Sequence, residues 1–483
     1  MSIRHGIYIQ EEATALSAPV IGDCSVPVVV GTAPVNMLND PSKAVNVPIL
    51  ANSATEAMQE LGYSKKMGIG EYTLCQMEYI TANIFLVSPV VYINVLDPEK
   101  HKKSFSEQQV QVNDFQAIVP MEGILRKGLV VKSGSETLAD GTDYEVEYNT
   151  EGYAVINIMA AGAGKAATTL SVSGNQLDPS MVTKDDIVGA YNPSTGKETG
   201  AQLIRQVYPK LGVVPGLIIA PGWSHIPEVG IALSAKAATI NGCFKSMALL
   251  DLDTEQATKY TDTKNVKEDS GYTSSFGVPM WPCDRVGGLI FAKSAITAAL
   301  MAYQDAKGGN VPNLSPSNKM LGVTGQCLAD GTEVILDQEQ GNTVNSYGVL
   351  TAINLDGWRL WGNYTGAYPS TTDAKDAFIP VRRMFNWHGN TFIRTYFQKV
   401  DDPMNTVLIE SVVDSENIRC ASYAPDKWAG ASMEYRLSDN TETDILAGKM
   451  TFRQKIAPYT PAQQIENILS YDVSMLKAAM GGE

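Results

Sequence analysis

The order of apolar and polar positions predicts alternating strands and helices over the first hundred residues. Val28 to Val30 is a run of β-branched residues, which is typical of a buried strand. Ser53, with a glutamate three residues later, matches the capping box that begins a helix, and Gly62 is placed to end it. Apolar spacing predicts a second helix over 71–83, and the apolar run at 84–95 predicts two more strands. This order indicates an α/β fold.

The pattern changes after Pro98. From 106 to 183 apolar and polar residues alternate, and glycines and turn signals are frequent. Strands are predicted at 128–132, 143–148 and 154–158, with Asp-Gly and Glu-Gly turns between them. We interpret this segment as a small all-β domain that is inserted into the α/β domain.

Helix and strand patterns alternate again from about Ile187. The apolar run at 216–220 lacks alternation, which is typical of a fully buried strand. With a helix at 229–244 and a strand at 247–250 it forms a β-α-β unit, for which parallel pairing is expected. The remaining predictions are helices at 289–306 and 406–418, a helix–strand transition at 376–396, and strands at 449–456 and 464–471.

Together these elements predict an α/β (α+β) discontinuous core domain with an inserted all-β domain and extended N- and C-terminal β arms. The strand predicted at Gly6–Gln10 has no partner close in sequence, nor has the one at 464–471, so each must pair with something distant. The predicted boundaries are 1–20 for the N-terminal arm, 21–105 and 184–460 for the core, 106–183 for the insertion, and 461–483 for the C-terminal arm and tail.

The chain is long and poor in charge. Charged residues make up 18% of its 483 residues, whereas about 25% is usual. The net charge of -15 repels phosphate, so neither a nucleic-acid partner nor binding to anionic lipid is expected. A surface depleted in lysine and glutamate is typical of protein–protein interfaces.

The six cysteines lie far apart without a CxxC pair, so neither a zinc site nor a dense disulfide framework is predicted. The N-terminal sequence lacks the basic-then-apolar order of a signal peptide. The longest apolar stretch, 84–96, is interrupted and shorter than the roughly 20 residues that span a bilayer. We therefore expect no membrane insertion.

Two short strings have the residue types of catalytic sites. Ser224 and His225 follow a buried strand, where a nucleophile elbow would lie, but the glycine that the elbow requires is Ile226. Asp251 and Asp253 follow the next strand and match the Asp-x-Asp of aspartate-based phosphohydrolases only in part. No catalytic, metal or cofactor site is predicted, and a Mg²⁺-dependent phosphohydrolase is kept as the alternative of another class.

Arg382 and Arg383 follow an apolar run that ends in Val381. Two adjacent arginines at the end of a strand either contact another subunit or pair with local carboxylates on the surface. The residues alone leave both interpretations open.

Several motifs resemble the contractile tail sheath proteins of myophage-type particles. His5–Glu12 and Pro27–Pro34 are similar to the opening of that family, and 457–465 to its end. In the middle of the chain, 345–349 and 357–365 resemble its Trp-Gly core, although Asn363-Tyr364 replaces an arginine-containing form. The residues that match the core motif are Trp361, Gly362, Asn363, Thr365, Arg382 and Arg383.

The resemblance implies a structural subunit rather than an enzyme. Such subunits form hexameric rings that stack helically around a tail tube and contract by rigid-body rearrangement to drive the tube through a bacterial envelope. The implied partners are further copies of the chain, the tail tube protein, and baseplate and tail terminator proteins, and the implied location is the virion tail after assembly in the host cytoplasm. In the family the arms add strands to sheets of neighbouring subunits, and the matching contact residues here are Gly6, Ile7, Tyr8, Ile9, Gln10, Gln464, Ile465, Ile468 and Leu469.

The sequence leaves the parent particle open. A sheath from a genome-free R-type bacteriocin or another contractile injection system would have the same features as one from a phage.

Overall fold

The computed structural model describes residues 24–64 and 69–481. The strand predicted at Gly6–Gln10 lies outside the described residues. The strands are β1 (Pro27–Gly31), β2 (Pro48–Ala51), β3 (Val90–Asn94), β4 (Lys102–Asn113), β5 (Gln116–Val119), β6 (Val130–Ser133), β7 (Glu136–Thr137), β8 (Tyr144–Tyr148), β9 (Ala154–Ile158), β10 (Thr169–Leu177), β11 (Tyr191–Asn192), β12 (Lys197–Glu198), β13 (Leu217–Ile219), β14 (Met247–Asp251), β15 (Gly277–Met280), β16 (Cys283–Val286), β17 (Leu289–Phe291), β18 (Gly325–Cys327), β19 (Thr351–Asn354), β20 (Trp358–Trp361), β21 (Trp428–Tyr435) and β22 (Phe452–Pro458).

Helices alternate with these strands and also form a group near the C-terminus. The α-helices are α1 (Ala54–Leu61), α2 (Leu74–Asn83), α3 (Lys184–Val188), α4 (Ile204–Leu211), α5 (Pro227–Ala238), α6 (Thr263–Asp269), α7 (Lys293–Lys307), α8 (Gln338–Ser346), α9 (Ala374–Ala377), α10 (Ile379–Tyr396), α11 (Thr406–Ser422), α12 (Glu442–Leu446) and α13 (Val473–Ala479). In the described parts of the chain no helix is long and apolar enough to cross a membrane.

A six-stranded sheet forms the centre of the fold, in the order β15-β14-β13-β1-β3-β2. All neighbours are parallel except the edge strand β2, which is antiparallel to β3. Strand β1 pairs on both sides, and Val28, Val29 and Val30 are fully buried in it, as the β-branched run predicts. The predicted β-α-β unit is present as β13, α5 and β14, with parallel pairing.

Residues 102–177 form a separate seven-stranded sheet, in the order β7-β6-β10-β4-β5-β9-β8. All of its observed pairings are antiparallel. Its inward residues pack into their own cluster, which includes Val119, Ile156 and Leu170. The three strands predicted here correspond to β6, β8 and β9. The long central pair β4–β10 was not predicted, because most positions of β4 are polar and only Val110 is fully buried.

Helices α10 and α11 pack beneath the hairpin β21–β22, and their apolar side chains form two smaller clusters. Trp387 and Trp428 are the largest buried side chains there. The indole Nε1 of Trp428 donates to the carbonyl of Cys420 at 3.0 Å, so the hairpin is fixed to α11 by a hydrogen bond as well as by packing.

Several predicted elements differ from the structure. Residues 84–87 form no strand, and the helix predicted at 229–244 ends at Ala238. Residues 289–291 form strand β17, so the predicted helix begins only at Lys293. Arg382 and Arg383 lie in the first turns of a helix and not at the end of a strand.

The last difference concerns the C-terminus. Residues 461–472 form no helix or strand, so the strand predicted at 464–471 is absent from the single chain. A strand needs a neighbour for its backbone groups, and none of the described residues supplies one. Instead, Asp472 caps the short helix α13, which the sequence pattern does not predict.

Candidate functional site

The Trp-Gly motif forms a tight backbone junction. Strand β20 ends at Trp361, and Gly362 follows with φ of 134°, in a region that favours glycine. A Cβ on Gly362 would lie 2.6 Å from the end of the Asn345 side-chain amide, so a larger residue would displace that side chain. The Gly362 N–H donates to Ser317 Oγ at 3.0 Å, and Trp361 Nε1 donates to Asn342 Oδ1 at 2.9 Å. The motif therefore fixes backbone geometry.

The next motif residues connect this junction to the start of α10. The carbonyl of Asn363 accepts the Ile379 N–H at 2.9 Å, and its side chain accepts from Ser315 Oγ. Thr365 is fully buried, and its N–H donates to the Ala377 carbonyl at 2.8 Å. Asn363 and Thr365 thus hold two distant parts of the chain together.

Arg382 and Arg383 are both buried, with 6% and 4% of their surface exposed. Arg382 Nη1 lies 3.0 Å from Asp376 Oδ1, and its guanidinium lies 5.0 Å from the ring centre of Phe276. Arg383 Nη2 lies 2.5 Å from Oδ2 of Asp305 in α7, which Ser25 also contacts. The predicted pairing with carboxylates is thus present, although both arginines are buried inside the subunit and do not lie on its surface.

The C-terminal segment, residues 461–481, is exposed from 462 to its end. Its contact with the body is at one end, where Tyr364 Oη donates to Gln463 Oε1 at 2.7 Å. Gln464 lies next to this contact and is itself exposed. The predicted contact residues Ile465, Ile468 and Leu469 are 88%, 89% and 86% exposed. The other exposed apolar side chains of the segment are Tyr471, Val473, Met475, Leu476 and Met480.

An exposed set of this size is unusual for an isolated subunit, because contiguous apolar surface normally marks an interaction site. The segment follows directly from strand β22. In the described residues β21 and β22 pair only with each other, so both outer edges of the hairpin have no neighbouring strand. Open strand edges next to a free apolar segment can bind further chains by strand addition.

His388, Glu416 and Cys420 are buried together and have the side-chain types that bind metals. However, Glu416 Oε1 already accepts from Arg419 Nη2 at 2.5 Å and Gln454 Nε2 at 2.8 Å. Arg419 Nη2 also lies 2.9 Å from His388 Nδ1, so Nδ1 accepts and Nε2 carries the proton. A cation and an amide donor surround the carboxylate, and no lone pair of the histidine is free for a metal. The cluster is a buried polar network that joins α10, α11 and β22.

The two enzyme-like strings come together, but not as a catalytic site. Ser224 is fully buried, and its Oγ donates to Asp251 Oδ2 at 2.8 Å, so it faces a carboxylate and not the imidazole of His225. Asp251 also accepts the Ser294 N–H at 2.8 Å, and burial raises the pKa of its carboxyl. Asp253 accepts from the backbone of its own loop. These hydrogen bonds fix the backbone at the end of β14, and they leave none of the three side chains as an activated nucleophile.

The motif residues therefore serve the architecture of the subunit itself, and the C-terminal segment presents its apolar side chains to the exterior. No family model matches the chain. It is 26% identical over 424 residues to the tail sheath protein of Burkholderia phage BcepMu. The aligned region covers 86% of this chain and 85% of that protein. It is 27% identical to a putative prophage major tail sheath protein of Pseudomonas aeruginosa, over 57% of this chain and 70% of that protein.

The fold is also that of solved sheath subunits. The PVC sheath of an extracellular contractile injection system, in the contracted state, superposes with a TM-score of 0.58 and 15% identity, over 98% of this chain and 99% of that one. The chain is thus similar in sequence to tail sheath proteins of a phage and a prophage and similar in fold to a solved sheath subunit, and the family resemblance noted in the sequence is confirmed. Its relatives are structural tail proteins and not enzymes, so the phosphohydrolase alternative is set aside.

Proposed function

We propose that this chain is the subunit of a contractile tail sheath whose hexameric rings stack helically around a tail tube. Contraction is a rigid-body reorientation of the α/β cores, and the terminal arms act as hinges between them. The observation that carries the proposal is the exposed apolar C-terminal segment in a homologue of tail sheath proteins. The particle also contacts the tube protein, the baseplate and a tail terminator.

The arms supply the links between subunits. The C-terminal segment of one copy adds to the open edge of β21–β22 on a neighbour, and residues 6–10 of a further copy add in the same way. Burial of two side chains such as Ile468 and Leu469 is worth about 3–6 kcal/mol per contact. A mesh of such contacts keeps the subunits joined while their cores move.

The seven-stranded sheet lies on the outside of the particle, as an inserted domain covering 106–183. Its charge supports this placement: four basic against ten acidic residues give -6, which suits a solvated surface. The family-like core, 1–105 with 184–483, lies towards the tube. A reconstruction in which residues 106–183 touch the tube would refute this arrangement.

The sharpest test of assembly changes the C-terminal segment. Ile468→Asp with Leu469→Asp removes apolar surface and adds two charges, whereas Asn467→Asp with Ser470→Asp adds the same charges at polar positions of the same segment. We expect the first variant to remain folded, since its side chains are exposed in the subunit, but to form no sheath. The control should form hollow striated cylinders by negative-stain microscopy.

Equal cylinders from both variants would show that the apolar side chains are dispensable. A loss in both variants would indicate that charge alone prevents assembly. Circular dichroism and thermal melting of each purified subunit separate an assembly defect from unfolding.

Deletion of residues 1–12 tests the other arm. We expect a soluble, folded subunit that forms no sheath. Sheaths of normal length from this deletion would show that the N-terminal arm is not needed.

A phage and a genome-free injection particle both fit the homologues, since these include a phage sheath and an injection-system sheath. Microscopy of the natural particle distinguishes them, because only a phage carries a DNA-filled head on the tail.

A further inference from the structure

Two of the six cysteines face each other across a pair of strands. In the small sheet β17-β16-β18, strands β16 and β18 are antiparallel, and Cys283 is directly opposite Cys327. Directly opposed residues project their side chains from the same face of a sheet. The next pair of the same ladder, Asp284 and Gln326, is opposed on the other face. Both cysteines are free thiols in the structure.

This arrangement suits a disulfide bond. Opposed residues in antiparallel strands have Cα atoms roughly 4.5–5.5 Å apart, and disulfides span Cα distances of roughly 4.4–6.8 Å. The Cβ atoms of such residues are about 4.5–5.5 Å apart, against about 3.5–4.5 Å in a disulfide. A shift on the order of 1 Å at the Cβ atoms therefore forms the bond without a change of register.

Cys283 is the more exposed residue of the pair. Cys283 is partly exposed and lines a cleft of about 370 Å³ together with His225, Asp253, Glu255 and Phe291. Cys327 is fully buried behind it. A small reagent in the cleft thus reaches Cys283 first, and the acidic side chains of the cleft favour a cationic one.

We propose that Cys283 and Cys327 form an intrachain disulfide when the protein meets a small-molecule disulfide. The Cys283 thiolate attacks the reagent disulfide, whose S–S bond breaks, and one reagent thiolate leaves. The Cys327 thiolate then attacks the Cys283 sulfur and releases the second reagent thiolate. The two protons of the cysteines go to the two leaving thiolates, so the pair is oxidised by two electrons and the reagent is reduced to two thiols.

The microenvironment sets the rate. Burial raises the pKa of both thiols, and at Cys327 the nearby guanidinium of Arg285 partly offsets this effect. The thiolate fraction at neutral pH is therefore small, and the reaction is slow there and faster at higher pH. The product joins β16 to β18 and closes a loop from 283 to 327 that contains the whole of helix α7.

The bond would have a direct physical effect. Cross-linking the ends of a loop of this length reduces the entropy of the unfolded chain, which stabilises the fold. A subunit made with reduced thiols would thus become more resistant to unfolding after it leaves a reducing compartment.

The test uses the full chain and cystamine, a small dicationic disulfide. The protein is incubated at pH 8.5, quenched with N-ethylmaleimide, and measured by intact mass and by peptide mapping without reduction. In the peptide map we expect a pair that joins Cys283 to Cys327 and is about 2 Da lighter than the two reduced peptides together, while the exposed Cys243 takes up cystamine separately. Cys327→Ser should stop at a mixed disulfide on Cys283, and Cys283→Ser should give no product at either position. Cys243→Ser, which removes an exposed thiol elsewhere, should form the bond like the wild type.

Two further measurements on the wild type test the proposal without the serine variants. In the native wild type, N-ethylmaleimide should modify Cys283 at least about tenfold faster than Cys327. The oxidised wild type should melt several degrees above the reduced protein, and dithiothreitol should reverse the difference. Persistence of the mixed disulfide on Cys283 in the wild type, or a pairing of other cysteines, would overturn the proposal.

Discussion

The buried ion pair between Arg383 and Asp305 allows a quantitative test of how the motif arginines act. Nη2 and Oδ2 are 2.5 Å apart, and the two side chains are only 4% and 1% exposed. Asp305→Leu leaves the Arg383 cation buried without its partner, and Arg383→Met does the same to the carboxylate. Each single change should lower the free energy of unfolding by about 3–5 kcal/mol.

The expected shift in melting temperature follows from the size of the core. The entropy gained on unfolding is about 2.1 cal/mol/K per residue, so a core of about 400 residues gains close to 0.8 kcal/mol/K. A loss of 3–5 kcal/mol thus lowers the melting temperature by about 4–6 °C. The double variant, Asp305→Leu with Arg383→Met, removes both charges and should lose much less than the sum of the single changes.

Scanning calorimetry of the purified subunit measures all four proteins. If the double variant loses the sum of the two single changes, Arg383 and Asp305 are not coupled, and the pairing described here is wrong. If the single changes have no effect while assembly is lost, Arg383 acts at an interface, as one of the two interpretations of the sequence allowed.

Three further predictions concern single positions. Gly362→Ala should lower the melting temperature by several degrees through strain and the contact with Asn345, whereas Gly430→Ala, at an uncrowded glycine, should not. Glu78 is fully buried beside Cys75, and burial raises the pKa of its carboxyl to about 8. Because the folded state keeps this proton while the unfolded chain releases it, the free energy of unfolding of the wild type should fall by up to about 5 kcal/mol as pH rises from 4.5 to 8. Glu78→Gln should remove that fall. If the difference in melting temperature between variant and wild type is equal at pH 5 and pH 8.5, this prediction is wrong. Trp428→Ala should cost about 3–5 kcal/mol and expose β21–β22 to limited proteolysis, while an unchanged digest would show that the hairpin is held by other contacts.

Sequence patterns identified the elements whose signals are local. The β-branched run of β1, the cap at Ser53 and the β-α-β unit around α5 all follow from neighbouring residues. Strand β4 was missed because its partner β10 is about 60 residues away and its own positions are mostly polar. The pairing of Arg383 with Asp305 and the opposition of Cys283 to Cys327 depend on tertiary contacts, for which one sequence contains no signal.

The C-terminal segment shows the limit of reading a single chain. Its apolar residues were noted as contact residues, yet no pattern could tell whether they pack on the same subunit or stay exposed. The structure answers this question for Ile465, Ile468 and Leu469, which are 88%, 89% and 86% exposed.

The strand order of the central sheet also has a consequence for biosynthesis. Strand β1 lies between β3 and β13, and β13 begins 186 residues after β1 ends, at Leu217. At roughly 5–20 residues per second, a ribosome needs about 10–40 s to supply that neighbour. The strands of the seven-stranded sheet all come from 102–177, so this sheet can fold on the nascent chain while β1 still waits for its partner. The apolar edge of β1 therefore stays without its second neighbour for longer than any strand edge of the seven-stranded sheet.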